Sequence, residues 1–188
     1  NKYIGENGVV YSYDTKFEVF TYDPNEILVN TLQTDLSNQL RTNQGGNPMA
    51  NTTTSRRMMS SNDYFQELIP GKQGELISQM MHDNYEVVKG SWPISSKEVV
   101  LVLDYNNEIS LEALYAFGVL PYEGFEEIVK ELKAGNEVTP IEHKLNYDDM
   151  IGKSFYVVTA SDYYQKQDSG YFVDISDVDA KVKELVEK

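Results

Sequence analysis

The chain has 188 residues, 40 % of them hydrophobic, and sets 16 Lys plus Arg against 30 Asp plus Glu for a formal net charge of -14. A chain of that size buries roughly two-thirds to three-quarters of its unfolded surface as one or two domains, and its acidity opposes phosphate backbones and anionic lipid heads, which argues against nucleic acid as a partner. Having no cysteine, it has no disulfide framework, no thiolate metal site and no Cys nucleophile.

No run approaches the roughly 20 apolar residues of a spanning helix, and no basic start, apolar middle and small-residue cleavage site opens the chain. Asn1 in the place of a Met reads as the start of a piece excised from a longer protein. Fourteen tyrosines and a single tryptophan suit an aromatic, polar-tipped surface.

Taken in order, "GVVYSYDTKFEVFTYD" alternates large with small or polar residues about Asp14-Thr15, which predicts a β-hairpin. Tyr11, Tyr13, Phe17 and Val19 share one face and Ser12, Lys16 and Glu18 the other, as in a sheet covered on one side. "TNQGGNPMANTTTSR", Thr42 to Arg56, has too little to bury to offset its ordering entropy and reads as a flexible loop. It contains an Asn51-Thr52-Thr53 acceptor pattern and is the favoured contact region of the chain.

"SSNDYFQELI" predicts an amphipathic helix with Tyr64, Phe65, Leu68 and Ile69 on its apolar side, stopped by Pro70-Gly71. "QGELISQMMHDNY" predicts a second short helix whose Leu76, Met80 and Met81 fill core space. "YEVVKG" reads as a strand, and the nearly continuous apolar run "KEVVLVLD" as a central strand buried on both faces. Ser110 caps a helix over "LEALYAFG" that Gly118 stops.

A second amphipathic helix follows in "YEGFEEIVKELKAG", with Phe125, Ile128, Val129 and Leu132 as its stripe and Gly135 at its close. A turn capped near Asn146 leads past Gly152 to the strand "KSFYVVTA", and "GYFVDI" is a further strand. In the closing "SDVDAKVKELVEK", Ser176 and Asp179 resemble a capping box, while Val178, Val182 and Leu185 form the buried stripe. With neither a regular β-α rhythm nor an internal repeat, the expected class is α+β, a mixed sheet with helices packed on it. It is read as one domain over 1–188, with room for two subdomains.

No catalytic, cofactor-binding or metal-ligating residue is assigned. His82 and His143 lack partners at zinc spacing and read as surface residues. Gly71-Lys72-Gln73-Gly74 is too short to cradle a phosphate, and no Gly-x-Ser-x-Gly elbow occurs. "DYNNEISLEALY" alternates Asp104, Asn106 and Glu108 as a calcium loop does, yet places Ile109 where that loop needs glycine and Tyr115 where it needs a bidentate glutamate. A turn followed by a helix cap accounts for it. A hydrolase built on two of the thirty acids is the least favoured class, because nothing singles out a pair.

The run "YEVVKGSWP", then "KEVVLVLDYNNEIS" and "LYAFG", resembles the extracytoplasmic domain of ABC transporter permeases of the FtsX and MacB type from Gram-positive bacteria. "DYFQELI" upstream and "YDDMIGKSFYVV" downstream extend the likeness over Tyr64 to Tyr164; the chain departs from the family at its end, stopping at Lys188 after the last helix, where the family adds a strand. The resemblance implies a MacB-like periplasmic core fold on the outer face of the cell membrane, without catalysis or cofactor. The implied partners are the transporter's ATP-binding subunit, reached through membrane parts outside this segment, a peptide, lipid-linked or protein ligand, and a second copy. Within this reading the Gly90-Ser91-Trp92-Pro93 corner is architectural: glycine freedom, a fixed proline and an indole over a core edge. The competing class is a secreted or surface-anchored protein that binds carbohydrate or peptide through tyrosines.

Overall fold

A computed structural model describes residues 17–34, 36–41, 64–139, 142–177 and 179–187. Its elements in chain order are β1 (Phe17–Tyr22), β2 (Leu28–Asn30), α1 (Leu36–Arg41), α2 (Gln79–Asn84), α3 (Leu111–Ala116), α4 (Tyr122–Lys133), β3 (Tyr156–Thr159), β4 (Tyr164–Lys166), β5 (Phe172–Asp174) and α5 (Asp179–Val186). Helices and small antiparallel sheets together make the class α+β. Among the described residues no helix is long and apolar enough to cross a membrane. The chain divides into two compact units, one of Asn1–Thr15 with Phe65–Glu108 and the other of Lys16–Tyr64 with Ile109–Lys188.

The second unit is built on a three-stranded sheet of order β2-β1-β3, antiparallel throughout, with Phe20 opposite Asn30 on one side and Tyr156 on the other. Strand pleating sends Phe20 and Val158 to one face, where they join Tyr163, Ile175, Val182 and Val186 in a buried cluster that α5 closes. Val19 and Thr21, on the opposite face, are buried as well. The β1 segment is thus covered on both faces at its centre rather than on one, with only Phe17 at its start exposed. The partner hairpin strand expected around Tyr11 and Tyr13 lies outside the described residues.

Helices α3 and α4 meet through Tyr115, Phe125 and Val129, with Leu36 of α1 and Leu120 at the margin. Their signals are local. Ser110 Oγ accepts the Ala113 N–H at 3.2 Å, and Gly118 takes a φ of 60° at the exit, the left-handed conformation glycine adopts without cost. Asn146 and Asp149 form a reciprocal capping box on the short 3-10 turn Tyr147–Asp149. At α5, by contrast, the Ser176 N–H donates to Asp174 Oδ1, and the helix begins only at Asp179.

The described part of the first unit, 65–108, contains α2 as its one α-helix and no strand among the described residues. Three expectations fail here. Residues 64–70 are not helical: Pro70 biases Ile69 toward extended geometry, and the Ile69 carbonyl instead accepts the Ser78 N–H at 2.8 Å. The second helix shrinks to Gln79–Asn84 because Ser78 caps it, its Oγ accepting the Met81 N–H, and Leu76 is left outside and exposed. "YEVVKG" and "KEVVLVLD" run without a ladder, with Val88, Val99 and Val102 at 52 %, 59 % and 54 % exposure. A valine-rich composition shows only that a segment suits a pleated, half-buried surface; it does not supply the neighbouring edges and covering layers that burial on both faces demands, and no other described strand belongs to this unit. The 42–56 loop lies outside the described residues.

Candidate functional site

Three turns of the chain share one hydrogen-bond pattern. In 23–27 the Asp23 N–H donates to the Ile27 carbonyl and the Glu26 N–H to the Asp23 carbonyl, with Glu26 at a φ of 61°. In 104–108 the Asp104 N–H donates to the Glu108 carbonyl and the Asn107 N–H to the Asp104 carbonyl, with Asn107 also at 61°. In 167–171 Gln167 and Gly170 repeat it, Gly170 taking a φ of 86°. The left-handed residue in fourth place lets a type I turn join two antiparallel flanks.

Two of these turns begin with an aspartate that braces them from inside. Asp23 Oδ1 accepts the N–H groups of Asn25 and Ile27 at 2.9 and 2.8 Å, and Asp104 Oδ1 accepts those of Asn106 and Glu108 at 2.9 and 2.8 Å. This is what the calcium-like alternation at Asp104 does: the carboxylate serves its own backbone. Among the described residues no group of three His, Asp or Glu side chains could hold a metal ion.

The two aspartates differ in surroundings. Asp104 is exposed, beside a Tyr105 that is 94 % exposed. Asp23 is only 4 % exposed, and its Oδ2 accepts the Tyr122 N–H at 2.8 Å where α4 starts, a place where the helix dipole favours negative charge. Beside it, Lys153 Nζ donates to the carbonyls of Tyr22, at 3.1 Å, and of Gly118. Burial holds the Lys153 pKa below its ordinary value of 10.5, and the nearby Asp23 carboxylate acts in the opposite sense. Asp23, Lys153 and Gly118 thus join the end of β1, the α3–α4 junction and the entry to β3 in one polar node. Sequence reading missed Asp23 and Lys153; the pattern Asp-x-Asn at 23–25 and 104–106 was the available signal for the first, and Lys153 gave none.

Trp92, half-buried, packs edge-on against His82 with ring centroids 4.7 Å apart, within the first unit. His82 and His143 are both exposed, as expected of surface residues. A groove of about 330 Å³ opens between Gln39 of α1 and Tyr122, Phe125 and Val129 of α4, with Glu126 and Lys130 of opposite charge on its rim. Burial, followed by Glu126, raises the Tyr122 pKa above 10.0; burial, followed by Glu127, does the same at Tyr115.

Exposed aromatics also stand on the β4–β5 hairpin, whose register sets Tyr164 opposite Asp174, Gln165 opposite Val173 and Lys166 opposite Phe172. All six of these residues are exposed. No protein-family model, no curated protein and no solved structure matches the chain.

Proposed function

We propose that this chain is a non-catalytic extracytoplasmic domain of an ABC transporter permease of the FtsX and MacB type, with a MacB-like core. It stands on the outer face of the cell membrane, relays conformational change powered by a separate ATP-binding subunit, and engages a peptide, lipid-linked or protein partner or its own twin. The observation that carries this reading is the ordered run "YEVVKGSWP", "KEVVLVLDYNNEIS" and "LYAFG" within 34 residues, from Tyr85 to Gly118.

A relay needs a body that passes displacement without absorbing it. The second unit has such ties. The Tyr22 hydroxyl donates to Glu187 Oε1 at 3.1 Å, joining β1 to the residue after α5; Thr21 Oγ1 donates to the Ser154 carbonyl at 2.9 Å; and Asp23 holds the start of α4. These bonds, each over 90 residues in sequence span, favour motion of this unit as one piece.

The test is the full-length gene product. It should carry apolar spans of about 20 residues beside this segment and be recovered from detergent with an ATP-hydrolysing subunit. A full-length chain without such spans ends the reading. The exposed tyrosines at 105 and 171 favour a second reading, a secreted or surface-anchored protein binding carbohydrate or peptide. A signal peptide or lipoprotein cysteine upstream, with no permease spans downstream, would select it.

A further inference from the structure

Among the described residues the three-stranded sheet ends at β3, in the order β2-β1-β3. Backbone groups along an antiparallel strand point alternately toward and away from the neighbouring strand. The Thr159 N–H bonds Asp162 Oδ2 at 2.7 Å, so Thr159, opposite Phe17, faces away from β1. Val157, two residues earlier and opposite Val19, faces the same way, and its side chain is 60 % exposed. A strand that turns its N–H and carbonyl groups outward is a template for another strand.

At Thr159 that template is already filled. Its outward N–H goes to the Asp162 carboxylate, its carbonyl accepts the Asp162 N–H at 3.1 Å, and its hydroxyl donates to the same carboxylate oxygen at 2.7 Å. The Ser161 hydroxyl in turn donates to Thr159 Oγ1 at 2.8 Å. These bonds from Thr159 hold the Asp162 carboxyl below its ordinary value of 3.8, so the side chain stays charged. The backbone bond alone closes the turn. Because the site is exposed, water would serve the Thr159 N–H nearly as well, and the carboxylate adds little to the fold. What it changes is which strand can pair there.

A second copy of this chain is the strand whose fit the edge itself fixes. Turned about a two-fold axis at Val158, Val157 of each copy meets Thr159 of the other, and both bonded pairs need the groups that Asp162 holds. We propose that Asp162 closes the outer edge of β3 to a second copy of this chain, so that the sheet ends at this strand. The proposal is independent of the permease reading: it states which edge a twin cannot use while Asp162 is in place.

The test compares the full 188-residue chain with Asp162→Ala by sedimentation velocity over a range of concentrations. The variant should self-associate at least about tenfold more tightly than the wild type, the factor that a freed pair of backbone hydrogen bonds supplies. Asp168→Ala removes the same charge from another exposed turn and should leave association at the wild-type level. Adding Val157→Lys to Asp162→Ala should abolish the gain, because a lysine on an edge opposes pairing. Amide hydrogen exchange locates the contact: in Asp162→Ala the Val157 amide should slow as concentration rises. In the wild type the Thr159 amide should exchange more slowly than that of Val157, although both face away from β1; the reverse order overturns the proposal even if the variant fails to fold. Unchanged association of a folded Asp162→Ala, an equal gain in Asp168→Ala, a gain that survives Val157→Lys, or a Val157 amide indifferent to concentration would overturn it as well.

Discussion

Asp23 Oδ2 receives the Tyr122 N–H at 2.8 Å across 99 residues of sequence, while the same carboxylate's other oxygen closes the five-residue turn to Ile27. One buried side chain thus links a local reversal to a distant helix start. Replacing Asp23 by Ala strands three N–H donors, that of the exposed Asn25 open to water and those of Ile27 and Tyr122 part-buried, and the expected loss is about 2–4 kcal/mol, at roughly 1–3 kcal/mol for each part-buried group left unsatisfied. Asp104→Ala removes the two internal bonds of the matching turn in an exposed setting, and should cost about 1 kcal/mol or less. Urea unfolding of both variants checks the contrast; equal losses would contradict the clamp.

Lys153 sets a pH signature in the alkaline range. Its folded pKa is held below 10.5 by burial, so through the window just under that value the native state binds fewer protons than the unfolded chain. The group's contribution to stability is fully present above 10.5 and is lost as pH falls through the folded value. Unfolding free energies of the wild type and Lys153→Met, measured across that window, should converge or diverge with the wild type gaining on the variant as pH rises. A constant difference would show that Lys153 titrates alike in both states.

The buried phenols work in the reverse direction. Tyr115 and Tyr122 are raised above 10.0 by burial first and by Glu127 and Glu126 second, so their contribution is present below 10.0 and disappears as pH climbs through the raised values. In an ultraviolet titration of the native chain, Tyr122→Phe should remove absorbance change from the late part of the curve. Loss from the early part would place that hydroxyl in water.

Two glycines at positive φ separate strain from collision. At Gly118 a Cβ would stand 2.6 Å from the Tyr22 carbonyl oxygen, and the φ of 60° penalises any side chain; at Gly135, with a φ of 81°, no atom lies within 4 Å of the added carbon. Gly135→Ala should cost about 1–2 kcal/mol for the left-handed backbone alone. Gly118→Ala adds displacement of backbone that also carries the Lys153 bond, for about 3 kcal/mol or more in total. Thermal unfolding would rank them, and a reversed order would be incompatible with the close approach.

What the sequence made legible was what its neighbours decide. Ser110, Gly118, Asn146 and the Phe125–Val129 stripe each act within one or two helical turns, and each sits where local chemistry places it. The Val99–Leu103 run was misread because its burial depends on strands and layers far along the chain, which composition does not specify. The Tyr64–Ile69 segment, whose apolar spacing suits a helix ending at Pro70, is not helical: proline restricts the residue before it, and the segment is too short to hold a helix by spacing alone. Asp23 shows in the sequence only the Asp-x-Asn spacing that it shares with Asp104, and its partner Tyr122 is named by the fold alone.

The repeated turn also bears on how the chain finds its shape. Each of the reversals at 23–27, 104–108 and 167–171 is complete within five residues, so it can close on the submicrosecond to microsecond scale of loops and hairpins, ahead of any long-range assembly. Bends that form locally in this way leave the slower search to the sequence-distant bonds that Asp23 and Lys153 make. Stopped-flow refolding should show Asp23→Asn slowing the main phase more than Asp104→Asn does, because only the first aspartate carries a bend into that later search.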